Sequence, residues 1–270
     1  MEAASIIFAA GFGSRIKNFS GNKTTLPLKP GTNPFEGECP IILEIIRNLP
    51  RGPKALVVHH RKDEVIKITH DMDIFYCHQP VPDGTGGALI AARDFLEKTD
   101  QNNLIITMGD VPFVRETTYR KLIGRLGDQD LVILGFEPRD RAQYGALEIE
   151  NNSVKKIHEW RYWKGYPLER QNGLKIFNSG IYAARRSVVI EYLDKLEQKP
   201  HEVEKERNGR TMVVKEYFIT DLVELINNDR NEVGFVVAED ENEVRGIDTF
   251  EDLILAQGLF ARMRNQQDLE

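Results

Sequence analysis

Short β-rich runs alternate with amphipathic helical patterns through the first half of this chain, and that alternation narrows the possible folds more than any other feature. Runs at Ser5–Ala10, Lys54–His60, Asp73–His78, Asn103–Met108 and Asp130–Phe136 read as strands. Between them, Ile41–Leu49, Arg61–Thr69, Gly86–Lys98 and Arg115–Leu126 space their apolar residues as a helix face does. Such alternation predicts βαβ units with right-handed crossovers and a mostly parallel sheet covered by helices on both faces. Ligands in α/β sheets bind beyond the carboxyl ends of the strands, so the residues just after each strand are the first candidates for function.

After Gly135 the pattern changes. Gly145–Glu150 and Val154–Glu159 flank "NNS", an Asn-rich hairpin signal, and Phe177–Ala184 follows as another strand. An antiparallel insertion that walls a substrate pocket is expected here. Glu202–Arg210 is charged and reads as a mobile loop, Lys215–Asn227 and Thr249–Arg264 read as helices, and Asn265–Glu270 as a fraying tail.

Bulk properties exclude several classes. With 270 residues, 41% of them hydrophobic, the chain can bury a sizeable core, and one large domain is expected. A net charge of -6 without a strongly basic segment argues against nucleic acid as a partner. Cys39 and Cys77 are too isolated for a disulfide framework or a zinc site of the usual spacing, which fits a reducing compartment. No apolar run approaches the roughly eighteen residues of a membrane span. Met1-Glu2-Ala3 lacks the order of a signal peptide, so a cytoplasmic location and no membrane partner are expected.

The first strand runs into Ala9-Ala10-Gly11-Phe12-Gly13-Ser14-Arg15. This is not a Walker loop, because no Gly-Lys-Ser/Thr follows, and it is a poor dinucleotide fingerprint, because Ile16 stands where the third glycine belongs. Two local readings remain: a glycine turn whose amides approach an anion beside a cation, or a tight strand-to-helix turn with a solvated arginine.

Ala9 to Ile16 resembles the Ala-Ala-Gly-x-Gly-Thr-Arg-Met signature of the sugar-1-phosphate nucleotidyltransferases, with Ser14 for Thr and Ile16 for Met. Further matches follow in order along nearly the whole chain, most like the uridylyltransferase branch that makes UDP-N-acetylglucosamine. The resemblance implies a Rossmann-like α/β fold with an antiparallel sugar-binding insertion. It divides the chain into a nucleotide-binding half (about 1–136), a sugar-binding half (about 137–250) and a C-terminal helix and tail (251–270). It also implies Mg²⁺-dependent transfer of a nucleotidyl group, UMP from UTP, to a sugar 1-phosphate.

The residue roles that follow from the resemblance are specific. Ala9, Ala10, Gly11, Gly13 and Ser14 would cradle the triphosphate, and Arg15 with a nearby lysine would supply the catalytic cations. In "NKTTLPLKP" the spacing favours Lys23 over Lys29, although Asn22 replaces the family's proline and Thr25 its leucine. Gln79, Gly84 and Thr85, in "HQPVPDGTGG", match base-binding positions, but the segment also resembles the thymidylyltransferase motif Gln-Pro-x-Pro-x-Gly. Asp110 matches a metal ligand, and Mg²⁺ is a hard ion that takes one or two carboxylates plus phosphate oxygens. Asp248 matches the second ligand, with a helix N-cap at Asp248 or Thr249 as the competing local reading.

On the sugar side, Gly145, Glu159, Asn178 and Thr220 match positions that contact the sugar. Each alone also reads as a strand end, hairpin or helix cap. Trp160, Tyr162 and Trp163 either stack on a sugar face or pack the insertion. Thymidylyl, cytidylyl or guanylyl transfer to another phosphorylated acceptor, and a non-catalytic nucleotide-binding regulator, are the alternative functions. Oligomeric state is left open.

Overall fold

The computed structural model describes residues 1–13, 15–127, 129–141, 143–207, 210–229 and 232–267. The apolar run at the start of the chain forms β1 (Ala4–Ala9), followed by a small hairpin of β2 (Pro27–Pro30) and β3 (Gly37–Pro40). Then come α1 (Ile41–Asn48), β4 (Lys54–Val58), α2 (Lys62–Thr69) and β5 (Ile74–His78). The expected third helix is two, α3 (Gly84–Ala91) and α4 (Arg93–Lys98), because Ala92 leaves helical geometry at φ -88°, ψ 7°. The redirected α4 brings Phe95 against Phe75, with ring centroids 5.7 Å apart. β6 (Asn103–Met108), α5 (Glu116–Arg125) and β7 (Leu131–Phe136) complete the first half much as the periodicity predicts.

The second half holds β8 (Ala146–Glu150), β9 (Ser153–His158), α6 (Trp160–Trp163), α7 (Leu168–Gly173), β10 (Phe177–Arg185) and α8 (Arg186–Glu197). β11 (His201–Arg207), β12 (Arg210–Glu216), α9 (Asp221–Asn228), β13 (Val233–Val237) and α10 (Phe250–Gln267) follow. Asn151 and Asn152, at φ 49° and 65°, make the left-handed turn between β8 and β9, as the "NNS" signal predicts.

Among the described residues the main sheet has nine strands, in the order β13-β7-β10-β6-β1-β4-β5, with β8 attached to β10 and β9 to β8. β1 is parallel to β4 and β6, and β13 to β7, whereas β10 runs antiparallel to both of its neighbours. The expected insertion is thus continuous with the main sheet, joined where Phe177 pairs with Ala146. Both faces are buried. Ile7, Leu56, Ile105 and Leu134 pack with Ile45, Tyr119, Leu122 and Phe260 on one side. Ile6, Val57, Ile106 and Ile133 pack with Leu89, Phe95, Leu193 and Leu222 on the other. That double burial is why the strands read as continuous apolar runs.

Three expectations need correction. The described residues of the charged stretch from Glu202 to Arg210 are strand rather than loop: β11 pairs with β12 from His201↔Glu216 to Arg207↔Arg210, with Val203 opposite Val214 in the register. Residues 208 and 209, between them, lie outside the described residues. A helix starting at Lys215 is excluded because β12 runs to Glu216 and α9 begins at Asp221. The tail is helical through Gln267, with 268–270 outside the described residues.

The chain leaves β1 towards β4 and β5 on one side and returns to β6 on the other. The carboxyl ends of β1 and β6 therefore flank the point where the strand order reverses, the place where α/β sheets open a binding crevice.

Candidate active site

A cleft of about 450 Å³ opens at that point. Its walls include the predicted Ala9, Ala10, Gly11, Gly13, Arg15 and Lys23. The predicted Gln79, Gly84, Thr85, Asp110 and Asp248 line it too, with Met108 and Glu216 among the others. Ser14 lies outside the described residues.

Lys23 opens a 3₁₀ turn, Lys23–Thr25, and Asn22 before it is fully buried. The Asn22 amide donates to Ala9 O at 3.1 Å and His60 O at 2.8 Å, its Oδ1 accepts from Thr24 N and Oγ1, and its backbone N–H donates to Glu64. Asn22 therefore ties the lysine turn to β1 and α2. The sequence showed it only as a departure from a proline.

The two loop glycines have different reasons. Gly13 sits at φ +61°, and a Cβ there would lie 3.1 Å from Lys23 Cβ, so the lysine stem lies flat along the turn. At Gly11 nothing comes within 4 Å, which leaves open space for a ligand. Gly109, before Asp110, faces the neighbouring strand. Its N–H donates to Phe8 O at 2.9 Å, and a Cβ would lie 2.6 Å from that oxygen.

Lys23 Nζ donates to Asp110 and, at 2.8 Å, to Asp248 Oδ1, which Arg15 also approaches at 3.0 Å. Burial pulls the Lys23 ammonium down, but the charges and hydrogen bonds of Asp110 and Asp248 outweigh it and hold the group above the ordinary lysine value. Burial would raise the Asp248 carboxyl; Lys23, with Arg15, reverses this and holds it below its ordinary value.

Asp248 is free for this role because a neighbour caps the helix. Thr249 Oγ1 accepts from Asp252 N at 3.1 Å, while the Asp252 carboxylate accepts from Thr249 N at 3.0 Å, a capping box in which Asp takes the usual Glu position.

The two carboxylates converge on one cationic point at a cleft with open space beside it. Two carboxylates with free volume for phosphate oxygens and water form a donor set that fits Mg²⁺. Among the described residues no group of three or more His, Cys, Asp or Glu side chains could hold a metal.

At the other end of the cleft, Gln79 is 3% exposed and its Nε2 donates to Asp83 Oδ1 and Gly84 O. Gly84, at φ +98°, and Gly86 leave room for Tyr217, whose carbonyl takes the Gly86 N–H at 2.8 Å. Thr85 Oγ1 accepts from Ile219 N. The segment after β12 thus clamps the start of α3.

The four sugar candidates do not line the 450 Å³ cleft. They form their own cluster. Asn178 N donates to Gly145 O at 2.8 Å, and Thr220 Oγ1 donates to Glu159 Oε1 at 2.8 Å. Thr220 precedes α9 but makes no capping bond, so its hydroxyl serves Glu159 instead. Burial pushes the Glu159 carboxyl up against the Thr220 hydrogen bond. The cluster meets the cleft at the bulge after Asn178, where Gly180 (φ +80°) packs on the cleft residue Met108. Trp163 packs the insertion: it is 5% exposed, donates to Tyr144 O and meets Phe177 edge-on. Tyr162 is exposed, and Trp160 packs partly against the core.

Residues 5–195 match the family described as the MobA-like NTP transferase domain. The bifunctional protein GlmU of Caldicellulosiruptor saccharolyticus is 28% identical over 256 residues, 93% of this chain and 50% of the relative. GlmU of a Ruegeria species is 33% identical over 177 residues, 66% of this chain and 35% of the relative. Where the match covers most of it, the chain spans about half the length of such relatives.

The fold is shared with a uridine diphosphate N-acetylglucosamine pyrophosphorylase from Trypanosoma brucei, at TM-score 0.73 and 12% identity, covering 94% of this chain and 64% of the other. It is also shared with a Bacillus anthracis protein assigned as a glucose-1-phosphate thymidylyltransferase, at TM-score 0.66 and 18% identity, covering 95% of each. Among the described residues no helix is long and apolar enough to cross a membrane.

Proposed function

The chain belongs to the MobA-like NTP transferase family, and from that premise we propose that it transfers uridylyl from UTP to a sugar 1-phosphate such as N-acetylglucosamine 1-phosphate. The observation that carries this is the convergence of Lys23, Arg15, Asp110 and Asp248 beside the open Gly11 turn. Two cations beside two carboxylates that would hold Mg²⁺, at a strand-order reversal, suit a triphosphate better than a neutral ligand.

In the proposed reaction an oxygen of the sugar phosphate attacks the α-phosphorus in line. The bond to the bridging oxygen breaks, and pyrophosphate departs with its electron pair. The attacking phosphate is already ionised, so no general base is required, and rate comes from positioning and charge neutralisation. Arg15 and Lys23 would neutralise the α-phosphate and the leaving pyrophosphate, while the Gly11–Gly13 amides fix the chain of phosphates. Asp110 and Asp248 would hold Mg²⁺, which when bound supplies charge neutralisation between the phosphates. Gln79, Gly84 and Thr85 would seat the base. Gly145, Glu159, Asn178 and Thr220 would meet the sugar.

The family supports nucleotidyl transfer, and the activities assigned to the pyrophosphorylase and thymidylyltransferase that share the fold are what support a sugar nucleotide as product. A second reading, thymidylyl transfer, is favoured by one feature: Gln79-Pro80-Val81-Pro82-Asp83-Gly84 resembles the thymidylyltransferase motif Gln-Pro-x-Pro-x-Gly. Incubation with each nucleoside triphosphate, Mg²⁺ and a panel of sugar 1-phosphates, read by mass spectrometry, tests the assignment. A nucleotide-sugar is expected from UTP. Nucleotide binding without any such product would instead favour a regulator.

A further inference from the structure

We propose that Asp83 sets base choice by fixing which end of the Gln79 amide faces the cleft, an inference that rests on Gln79 as the residue that meets the base. Gln79 is anchored at the end of β5. Its backbone N–H donates to Val58 O at 3.0 Å, and its carbonyl lies 2.8 Å from His59 Nδ1. In the side chain, Nε2 lies 2.8 Å from Asp83 Oδ1 and 3.1 Å from Gly84 O. A carboxylate and a backbone carbonyl can only accept, so the amide nitrogen must face them. A flipped amide would set its oxygen against two other oxygens.

Both N–H bonds of the amide are thereby consumed, and Oε1 is left with no protein partner among the described residues. The side chain lines the cleft, so an acceptor is what a base can find there. The N3–H of uracil or thymine donates to such an acceptor. N3 of cytosine is itself an acceptor, which would place lone pair against lone pair.

Asp83 is built into this position. Its carbonyl accepts from Tyr217 N at 2.7 Å, and its own N–H donates to Val81 O at 2.9 Å. The carboxylate lies over α3 where Gly87 has no side chain; a Cβ at Gly87 would overlap Oδ1. Gly87 therefore makes room for the lock, while the backbone bonds of Asp83 do not depend on its side chain.

The test is calorimetric titration of UDP and CDP, with Mg²⁺, into the wild type, Asp83→Asn and Asp83→Ala, each checked for folding by circular dichroism. Asparagine can donate to Oε1 and so relieves one of the two oxygen contacts that oppose the flipped amide, which would present Nε2 to cytosine; the contact with Gly84 O remains. The wild type is expected to prefer UDP roughly tenfold or more. That ratio should fall severalfold in Asp83→Asn and less in Asp83→Ala. A folded Asp83→Asn that keeps the wild-type ratio overturns the lock, and Asp83→Ala decides in the same way if the Asn variant does not fold. A wild type that binds neither diphosphate removes both the lock and Gln79 as base reader. UDP preference without turnover on any sugar phosphate leaves the lock standing and removes the transferase.

Discussion

Lys23 and Asp248 lie 225 positions apart in sequence, yet the lysine Nζ sits 2.8 Å from the aspartate Oδ1 while the same ammonium bridges to Asp110. The lysine thus engages the same two carboxylates that would hold a divalent cation. In the absence of nucleotide, metal and lysine should compete. Lys23→Met leaves the two carboxylates with only Arg15, on Asp248, to compensate them, so it should bind Mn²⁺ about tenfold tighter or more than the wild type. Paramagnetic resonance titration of free Mn²⁺ reads this directly. Equal affinity in the two proteins would show that the carboxylate pair is not the metal site.

Thr249 and Asp252 cap α10 and leave Asp248 to the cleft. Thr249→Val should cost about 1 kcal/mol of stability through the lost cap. It should also lower turnover, because Asp248 becomes the nearest side chain able to cap. Denaturant unfolding combined with steady-state rates separates the effects. A stability loss with an unchanged rate would mean the capping box does not protect the site.

The turn glycines should separate in the same way. Gly13→Ala forces a Cβ into a left-handed conformation at about 1–2 kcal/mol and presses on the Lys23 stem, so both stability and rate should drop. Gly11→Ala meets no protein atom. It should leave the unfolding midpoint nearly unchanged and raise the KM for the triphosphate. Identical phenotypes would contradict the distinct roles.

Glu159 gives a pH prediction. Burial raises its carboxyl above the ordinary value of 4.5, with Asp221 adding to the rise and Thr220, Arg161 and His201 opposing it. Upward from 4.5 the folded state therefore keeps a proton that the unfolded chain has lost. Stability from this group is present at lower pH and is lost as pH rises through the folded value. Glu159→Gln, whose Oε1 can still accept from Thr220, should flatten that slope and unfold at a higher temperature than the wild type at neutral pH. It should also lose roughly tenfold or more in kcat/KM for the sugar phosphate, if the carboxylate accepts a sugar hydroxyl. Melting curves across mildly acidic to neutral pH check the first part; a steeper slope in the variant would contradict it.

Legibility differed by region for physical reasons. The parallel strands were readable because burial on both faces makes each an unbroken apolar run, as in Asn103–Met108, whose bounds the pattern gave without error. β11 and β12 were not, because their charge hides the pairing of Val203 with Val214, although Asn208-Gly209 is a hairpin signal in its own right. Lys23, Asp110 and Asp248 stood out through an ordered set of motif matches. The contacts behind the cleft did not: Asn22, next to Lys23, acts through backbone carbonyls at Ala9 and His60, and Asp83 meets the Gln79 amide. Neither kind of contact leaves a spacing pattern. The ambiguity between cap and ligand at Asp248 needed coordinates, since Thr249 and Asp248 are equally good caps on paper.

The most direct measurement is pyrophosphate release from UTP, Mg²⁺ and N-acetylglucosamine 1-phosphate by the wild type, Lys23→Ala and Asp110→Asn, with folding confirmed by circular dichroism. The wild type should release pyrophosphate only when the sugar phosphate is present, and each folded variant should be slower by about a hundredfold or more. Release by either variant at the wild-type rate would contradict the proposed site.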